Sequence, residues 1–172
     1  MIKARPGFTL VETLVAIAIL TISIAGPYYS IYKAVQTTYI ARDKLIATSL
    51  AQEGAEYVRN VRDSNFLYNI ANISSPVNWM YTLTPCRGVG VKCTIDVTGF
   101  EPPTVCASTC APLNLTTSNL YSYNTGTPTR YTRSVNITDV SAAEVTVTVT
   151  VTWKTASVDN SLVVTQHLYN WL

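Results

Sequence analysis

Apolar residues dominate a long run in the first part of the chain, alternate with polar ones every three or four residues in the next, and alternate strictly in the last third. From Phe8 to Ala25 the only ionisable residue is Glu12. At a rise of about 1.5 Å per residue, a helix of that length reaches roughly 27 Å, close to the thickness of a bilayer's hydrocarbon core. Gly26 and Pro27 follow, and a helix break or kink is expected there, because proline lacks the amide donor and its ring crowds the preceding turn. From Tyr28 to about Asp63 the pattern is that of an amphipathic helix. Ile31, Val35, Tyr39, Leu45 with Ile46, Leu50, Tyr57 with Val58, and Val61 recur at helical spacing, opposite Lys33, Gln36, Arg42, Gln52 and Arg59. Gly54 is a soft point in this helix. Glu56 with Arg59, and Arg59 with Asp63, are spaced for surface ion pairs.

Beyond Asn65 the texture changes to short Thr-, Val- and Tyr-rich runs broken by prolines. Trp79 to Leu83 and Val91 to Val97 read as strands, and Thr98 to Pro128 as a surface loop. In the last third, Tyr131, Arg133, Val135 and Ile137 alternate with Thr132, Ser134, Asn136 and Thr138. Val145, Val147, Val149, Val151 and Trp153 alternate with Thr146, Thr148, Thr150 and Thr152. Period two over such a length marks half-buried strands. A turn over Ala156 to Asn160 and a returning strand from Ser161 to Tyr169 complete a three-stranded antiparallel meander. Its apolar face needs cover, and the amphipathic helix supplies it. The fold class is therefore α+β, a long N-terminal helix packed on an antiparallel sheet. The divisions fall at residues 1–7, 8–26, 27–63 and 64–172.

A carboxylate inside an apolar spanning run costs a few kcal/mol unless it is paired, so Glu12 calls for a partner. Cutting after Gly7 would create one, the free amine of Phe8, four residues from Glu12 on the same helix face. Gly7-Phe8-Thr9-Leu10-Val11-Glu12, preceded by Lys3 and Arg5 and followed by the apolar run, resembles the processing site of type IV prepilins. Pro6 departs from the polar, charged or small residue usual before the glycine. The resemblance implies cleavage between Gly7 and Phe8 by a membrane prepilin peptidase and N-methylation of Phe8. It gives Glu12 a role in the register of assembly with other pilin subunits, driven by pilus machinery in the inner membrane. It also implies a pilin-like head, a bend at Gly26 and Pro27, and a single membrane pass before assembly into an extracellular pilus or a periplasmic pseudopilus. Two plainer readings compete. A secretory signal peptide would be cut near Ser23-Ile24-Ala25, but carries Glu12 inside its apolar core. A plain single-pass anchor, with Lys3 and Arg5 inside, has no use for Glu12.

Composition narrows the classes further. Twelve Lys and Arg against ten Asp and Glu leave the chain near neutrality, with no basic run to suggest nucleic acid. Charged residues make up only 13%, a texture suited to an exported β-rich surface. Cys86, Cys93, Cys106 and Cys110 all follow the apolar run, on its extracytoplasmic side, where disulfides persist. Three pairings are open to four cysteines, and local pairing, Cys86 with Cys93 and Cys106 with Cys110, is preferred. A zinc site lacks the paired C-x-x-C spacing. His167 is the only histidine and falls in a strand pattern. Asp96, Asp139 and Asp159 are scattered, and fit turns or strand ends. No nucleophile, phosphate-loop or metal motif is present, so neither an enzyme nor a cofactor is expected. Asn72, Asn114 and Asn136 head glycosylation triplets, with Asn136 placed in mid-strand. The Val-Thr ladder, Trp153 and Asn170-Trp171 look similar to the ends of minor pilins. The major pilin and the type II secretion pseudopilin are near alternatives. A membrane-anchored adhesive domain that never assembles is the alternative from another class.

Overall fold

The structure, a computed structural model, describes residues 7–99, 101–155 and 157–170. The leader residues Lys3, Arg5 and Pro6, the turn residue Ala156 and the C-terminal Trp171 lie outside the described residues. The chain forms two compact units, Met1–Arg42 and Asp43–Leu172. The helix α1 (Leu10–Ala71) contributes to both.

In the first unit α1 is helical throughout, and the break expected at Gly26 and Pro27 is not there. Proline at that position costs one backbone hydrogen bond, to the Ser23 carbonyl, and the long helix on either side absorbs the loss. The neighbouring polar groups turn inward on the helix itself. Ser23 donates to the Ile19 carbonyl at 2.7 Å and Ser30 to the Gly26 carbonyl at 3.1 Å.

In the second unit α1 continues eight residues past Asp63, where the amphipathic pattern ends. Two asparagines in those last turns explain the extension. The Asn69 amide donates to the Val77 carbonyl at 2.9 Å and accepts from the Val77 amide at 2.7 Å, and Asn65 donates to the Trp79 carbonyl at 3.1 Å. Both side chains are used to strap the following loop onto the helix. Trp79 to Leu83 is not a strand. A 3-10 helix, Tyr81–Cys86, takes its place, with Trp79, Met80 and Leu83 delivered to the core. Of the strand expected over Val91 to Val97, only β1 (Cys93–Thr94) pairs. The stretch read as loop holds four two-residue strands, β2 (Thr104–Val105), β3 (Asn114–Leu115), β4 (Tyr121–Ser122) and β5 (Thr127–Pro128). Three of them form a small sheet of order β4-β3-β5.

The meander is present as β6 (Thr132–Ser141), β7 (Glu144–Thr155) and β8 (Val158–Tyr169). β8 begins at Val158, inside the stretch expected to be turn, and pairs without a slip along its whole length, from Thr155 opposite Val158 to Glu144 opposite Tyr169. With β1 and β2 it makes an antiparallel sheet of order β2-β1-β6-β7-β8. Val135, Ile137, Val145, Val147, Val149 and Val151 are fully buried on its inner face, each such side chain contributing about 1.5–3 kcal/mol.

The helix face that meets this sheet is narrower and smaller than the pattern of large apolar residues implied. Ala47, Leu50, Ala51, Gly54, Ala55 and Val58 are buried, while Leu45 is exposed and Ile46, Tyr57 and Val61 pack at the margin. Alanines and a glycine let the helix approach closely. A methyl group on Gly54 would stand 3.1 Å from Val149 Cγ1 and 3.2 Å from Arg133 Cδ. Arg133 is pinned by its own hydrogen bonds and Val149 sits in a central strand, so neither yields easily. The expected ion pair between Arg59 and Asp63 is also replaced. Arg59 keeps the other pair expected of it, meeting Glu56 at 3.0 Å, and Asp63 meets its neighbour Arg62 at 2.8 Å.

Gly54 should therefore be constrained by packing rather than being a point of weakness. Gly54→Ala, which gains about 1 kcal/mol of helix propensity, is expected to be neutral or destabilising in chemical denaturation. Gly54→Val should cost about 2–3 kcal/mol through overpacking. A stabilised Gly54→Val variant would contradict the close approach.

Candidate functional site

The first turn of α1 carries the residues that set this chain apart. Thr9 precedes the helix and accepts a hydrogen bond from the Glu12 amide through its hydroxyl at 3.3 Å, satisfying one of the amides that a helix start leaves open. Thr9 and Glu12 have the spacing of a capping box, a signal present in the sequence. Glu12 is also the acidic residue of the first turn, where the helix dipole favours negative charge by a few tenths of a kcal/mol. Gly7 and Phe8 lie ahead of the helix in non-helical backbone, both exposed, Phe8 at 80%. Exposed, non-helical backbone beside a glycine is open to an endopeptidase. Among the described residues the Glu12 carboxylate has no hydrogen-bond or ion-pair partner.

The hydroxyls that follow are accounted for within the helix. Thr13 donates to the Leu10 carbonyl at 2.8 Å and Thr21 to the Ala18 carbonyl at 2.9 Å, as Ser23 does one turn back. A segment whose hydroxyls are internally bonded pays little to leave water, which leaves Glu12 as the costly group. α1 is long and apolar enough near its N-terminus to cross a membrane.

In the second unit the polar side chains buried beside the sheet serve as ties between elements. Arg133, fully buried, donates to Glu53 Oε2 at 2.6 Å, to the Leu50 carbonyl at 3.2 Å and to the Ile95 carbonyl at 2.9 Å. It thus ties β6 to α1 and to the segment after β1. Asp43, also buried, accepts from Arg130 at 2.6 Å, from Thr155 at 2.8 Å and from the Tyr131 hydroxyl at 3.2 Å. Asp96 accepts from the Ser122 and Thr98 hydroxyls at 2.7 and 2.6 Å and from the Tyr123 and Thr98 amides. Burial opposes its charge, and these four donors outweigh burial, holding its carboxyl down at about 2. Asp96 was expected in a turn or at a strand end, and nothing in the sequence signals that Asp43 is buried, whereas Arg133 is signalled by its register. A charged residue on the apolar register of a strand, as Arg133 is, was the available signal.

The structure joins Cys86 to Cys93 and Cys106 to Cys110. The first loop is fastened to β6 by Gly88 N–H donating to the Ile137 carbonyl at 2.9 Å, by Asn136 donating to the Gly88 and Val91 carbonyls, and by Arg87 meeting Asp139 at 2.7 Å. His167 Nδ1 lies 2.8 Å from Glu144 on the opposing strand. A cleft of about 780 Å³ is lined by Glu53, Tyr57, Asn60, Thr98 and Glu101. Among the described residues no group of His, Cys, Asp and Glu is placed to hold a metal ion.

Because Asp96 has its pKa lowered by folding, its stabilising contribution is complete above the ordinary aspartate range near 4 and is lost as pH falls toward 2. Wild-type protein should lose stability over that interval more steeply than Asp96→Asn in acid-titrated denaturation. Parallel curves would show that the Asp96 cluster does not depend on the charge.

Comparison with known proteins finds a match to the family model described as the prokaryotic N-terminal methylation motif, over residues 2–26. Neither the curated proteins nor the solved structures match the chain. The matched residues include Gly7, Phe8 and Glu12 and the whole apolar run, the part of the molecule where an exposed glycine, a capped helix start and a carboxylate without a partner among the described residues come together. With this motif at its start and a long helix packed on an antiparallel sheet, the chain has the signature and the α+β architecture of a type IV pilin-like or pseudopilin precursor.

Proposed function

We propose that this protein is a structural subunit of a type IV pilus, a minor pilin, rather than an enzyme. The observation that carries the reading is the methylation motif over residues 2–26 on a helix that begins at Leu10 with Glu12 in its first turn. A prepilin peptidase cuts between Gly7 and Phe8 and methylates the new amine. The apolar run holds the subunit in the inner membrane, with the disulfide-bonded unit outside the cytoplasm. Glu12 then pairs with the Phe8 amine of a neighbouring subunit as that subunit docks. In lipid, packing between apolar helices gains little from hydrophobicity, so neutralising a carboxylate selects the register strongly. The minor-pilin assignment is drawn from the C-terminal third, with its Val-Thr ladder on β7 and Trp153. A major pilin would share the same first turn, and abundance in filaments separates the two.

Glu12→Ala is expected to leave cleavage intact and to lower recovery of the protein in sheared filaments by at least about ten-fold, the equivalent of about 1.4 kcal/mol per docking step. Glu12→Asp should restore part of it. Wild-type recovery from the Glu12→Ala strain would overturn the register role. A chain that is cut at Gly7 yet never appears in any filament fraction would favour an anchored domain that does not assemble.

A further inference from the structure

We propose that Tyr28, Tyr29 and Tyr32, with Lys33, form a belt that rests in the lipid headgroup layer of the outer leaflet and fixes the depth of the subunit before assembly. The inference rests on Phe8 to Ala25 being membrane-embedded, and adds the residues that set its level. Three rings cluster within five residues, immediately beyond the apolar run, and are 72%, 61% and 53% exposed. The roughly 27 Å run fills the hydrocarbon core, and the headgroup layer beyond it is about 5–8 Å deep. Tyr28 lies about 5 Å past Ala25 along the axis and Tyr32 about 10 Å. Side chains on a helix lean toward its N-terminus, which brings the rings of all three back toward the bilayer.

The chemistry of the cluster fits that layer better than it fits water or hydrocarbon. Each tyrosine offers an apolar body and a hydroxyl tip, the combination enriched at membrane interfaces. The Lys33 ammonium lies 5.6 Å from the centre of the Tyr29 ring. Gln36 donates to the Tyr32 hydroxyl at 2.6 Å. The cluster therefore presents a cation and hydrogen-bonding groups at the level of lipid phosphates. A phospholipid interface is the occupant this arrangement suits. A second copy of the helix is the occupant that the experiment must separate from it.

The test uses the full-length chain, uncut, in vesicles of phosphatidylethanolamine and phosphatidylglycerol. Single cysteines are placed at Ile24, Ser30, Ala34 and Thr38 and read by their rate of reaction with a membrane-impermeant maleimide. The native cysteines are paired and silent to it. Ile24→Cys should be protected, Thr38→Cys reactive, and the boundary should fall between Ser30 and Ala34 at every protein-to-lipid ratio. Adding Tyr28→Ala, Tyr29→Ala and Tyr32→Ala together should raise the rate at Ser30→Cys at least about five-fold. Equal reaction at Ile24→Cys and Thr38→Cys, or a rate at Ser30→Cys that ignores the three substitutions, would overturn the belt. Protection that disappears as protein is diluted in lipid would assign these rings to a second copy and overturn it as well. Because the uncut chain is used, none of these outcomes depends on whether prepilin processing occurs.

Discussion

A carboxylate at the edge of an eighteen-residue apolar run, Phe8 to Ala25, is the constraint around which the molecule is arranged. Hydrocarbon penalises any polar group without a partner. The helix meets that demand for its own backbone and for Thr13, Thr21 and Ser23, which donate back to carbonyls a turn away. Glu12 has no such recourse among the described residues. Its amide is capped by Thr9, which stabilises the helix start, but capping the amide leaves the carboxylate to find a cation. The helix N-terminus is one positive group within reach, and cleavage after Gly7 would add the amine of Phe8. On the proposed reading the chain is cut before that charge is neutralised, which couples its processing to its assembly.

The second unit solves a different problem with similar means. Its sheet is flat-patterned, valine inside and threonine outside, and such a surface specifies little on its own. Identity of packing comes from a few buried charges placed at crossings. Arg133 reaches Leu50, Glu53 and Ile95 at once, and Asp43 gathers Arg130, Tyr131 and Thr155. A slip by one residue along β6 would expel the Arg133 guanidinium to the Thr-lined face and leave Glu53 without it. Gly54 belongs to the same joint, since the arginine stem occupies the space a side chain would take.

Much of the architecture was legible because it rests on periodicity. The meander was readable from Val145 to Trp153, where alternation is strict, and its two neighbours followed. The first turn of α1 was readable because Gly7, Phe8 and Glu12 together form a motif. Elements built on individual hydrogen bonds were not. The last turns of α1 depend on Asn65 and Asn69 finding Trp79 and Val77, contacts that no local pattern encodes. The same holds for the 3-10 helix over Tyr81–Cys86, which with the preceding Trp79 and Met80 resembles a strand until the core claims Met80 and Leu83. Pro27 does not break the helix. Its local cost is real, but a helix of 62 residues tolerates one missing bond. The helix face toward the sheet was legible in part: Leu50 and Val58 are buried as expected, but the small residues Ala47, Ala51, Gly54 and Ala55, which let the helix approach closely, do not stand out in a pattern of large residues.

The most direct test of the central claim is the chemistry of the N-terminus, read by sequencing and intact mass on protein recovered from its native cells. A chain that begins at N-methylated Phe8, with both disulfides intact, is the predicted result. A chain that begins at Met1, or near Gly26, would contradict it, because Glu12 would then have no amine at Phe8 to meet or would be gone from the mature protein.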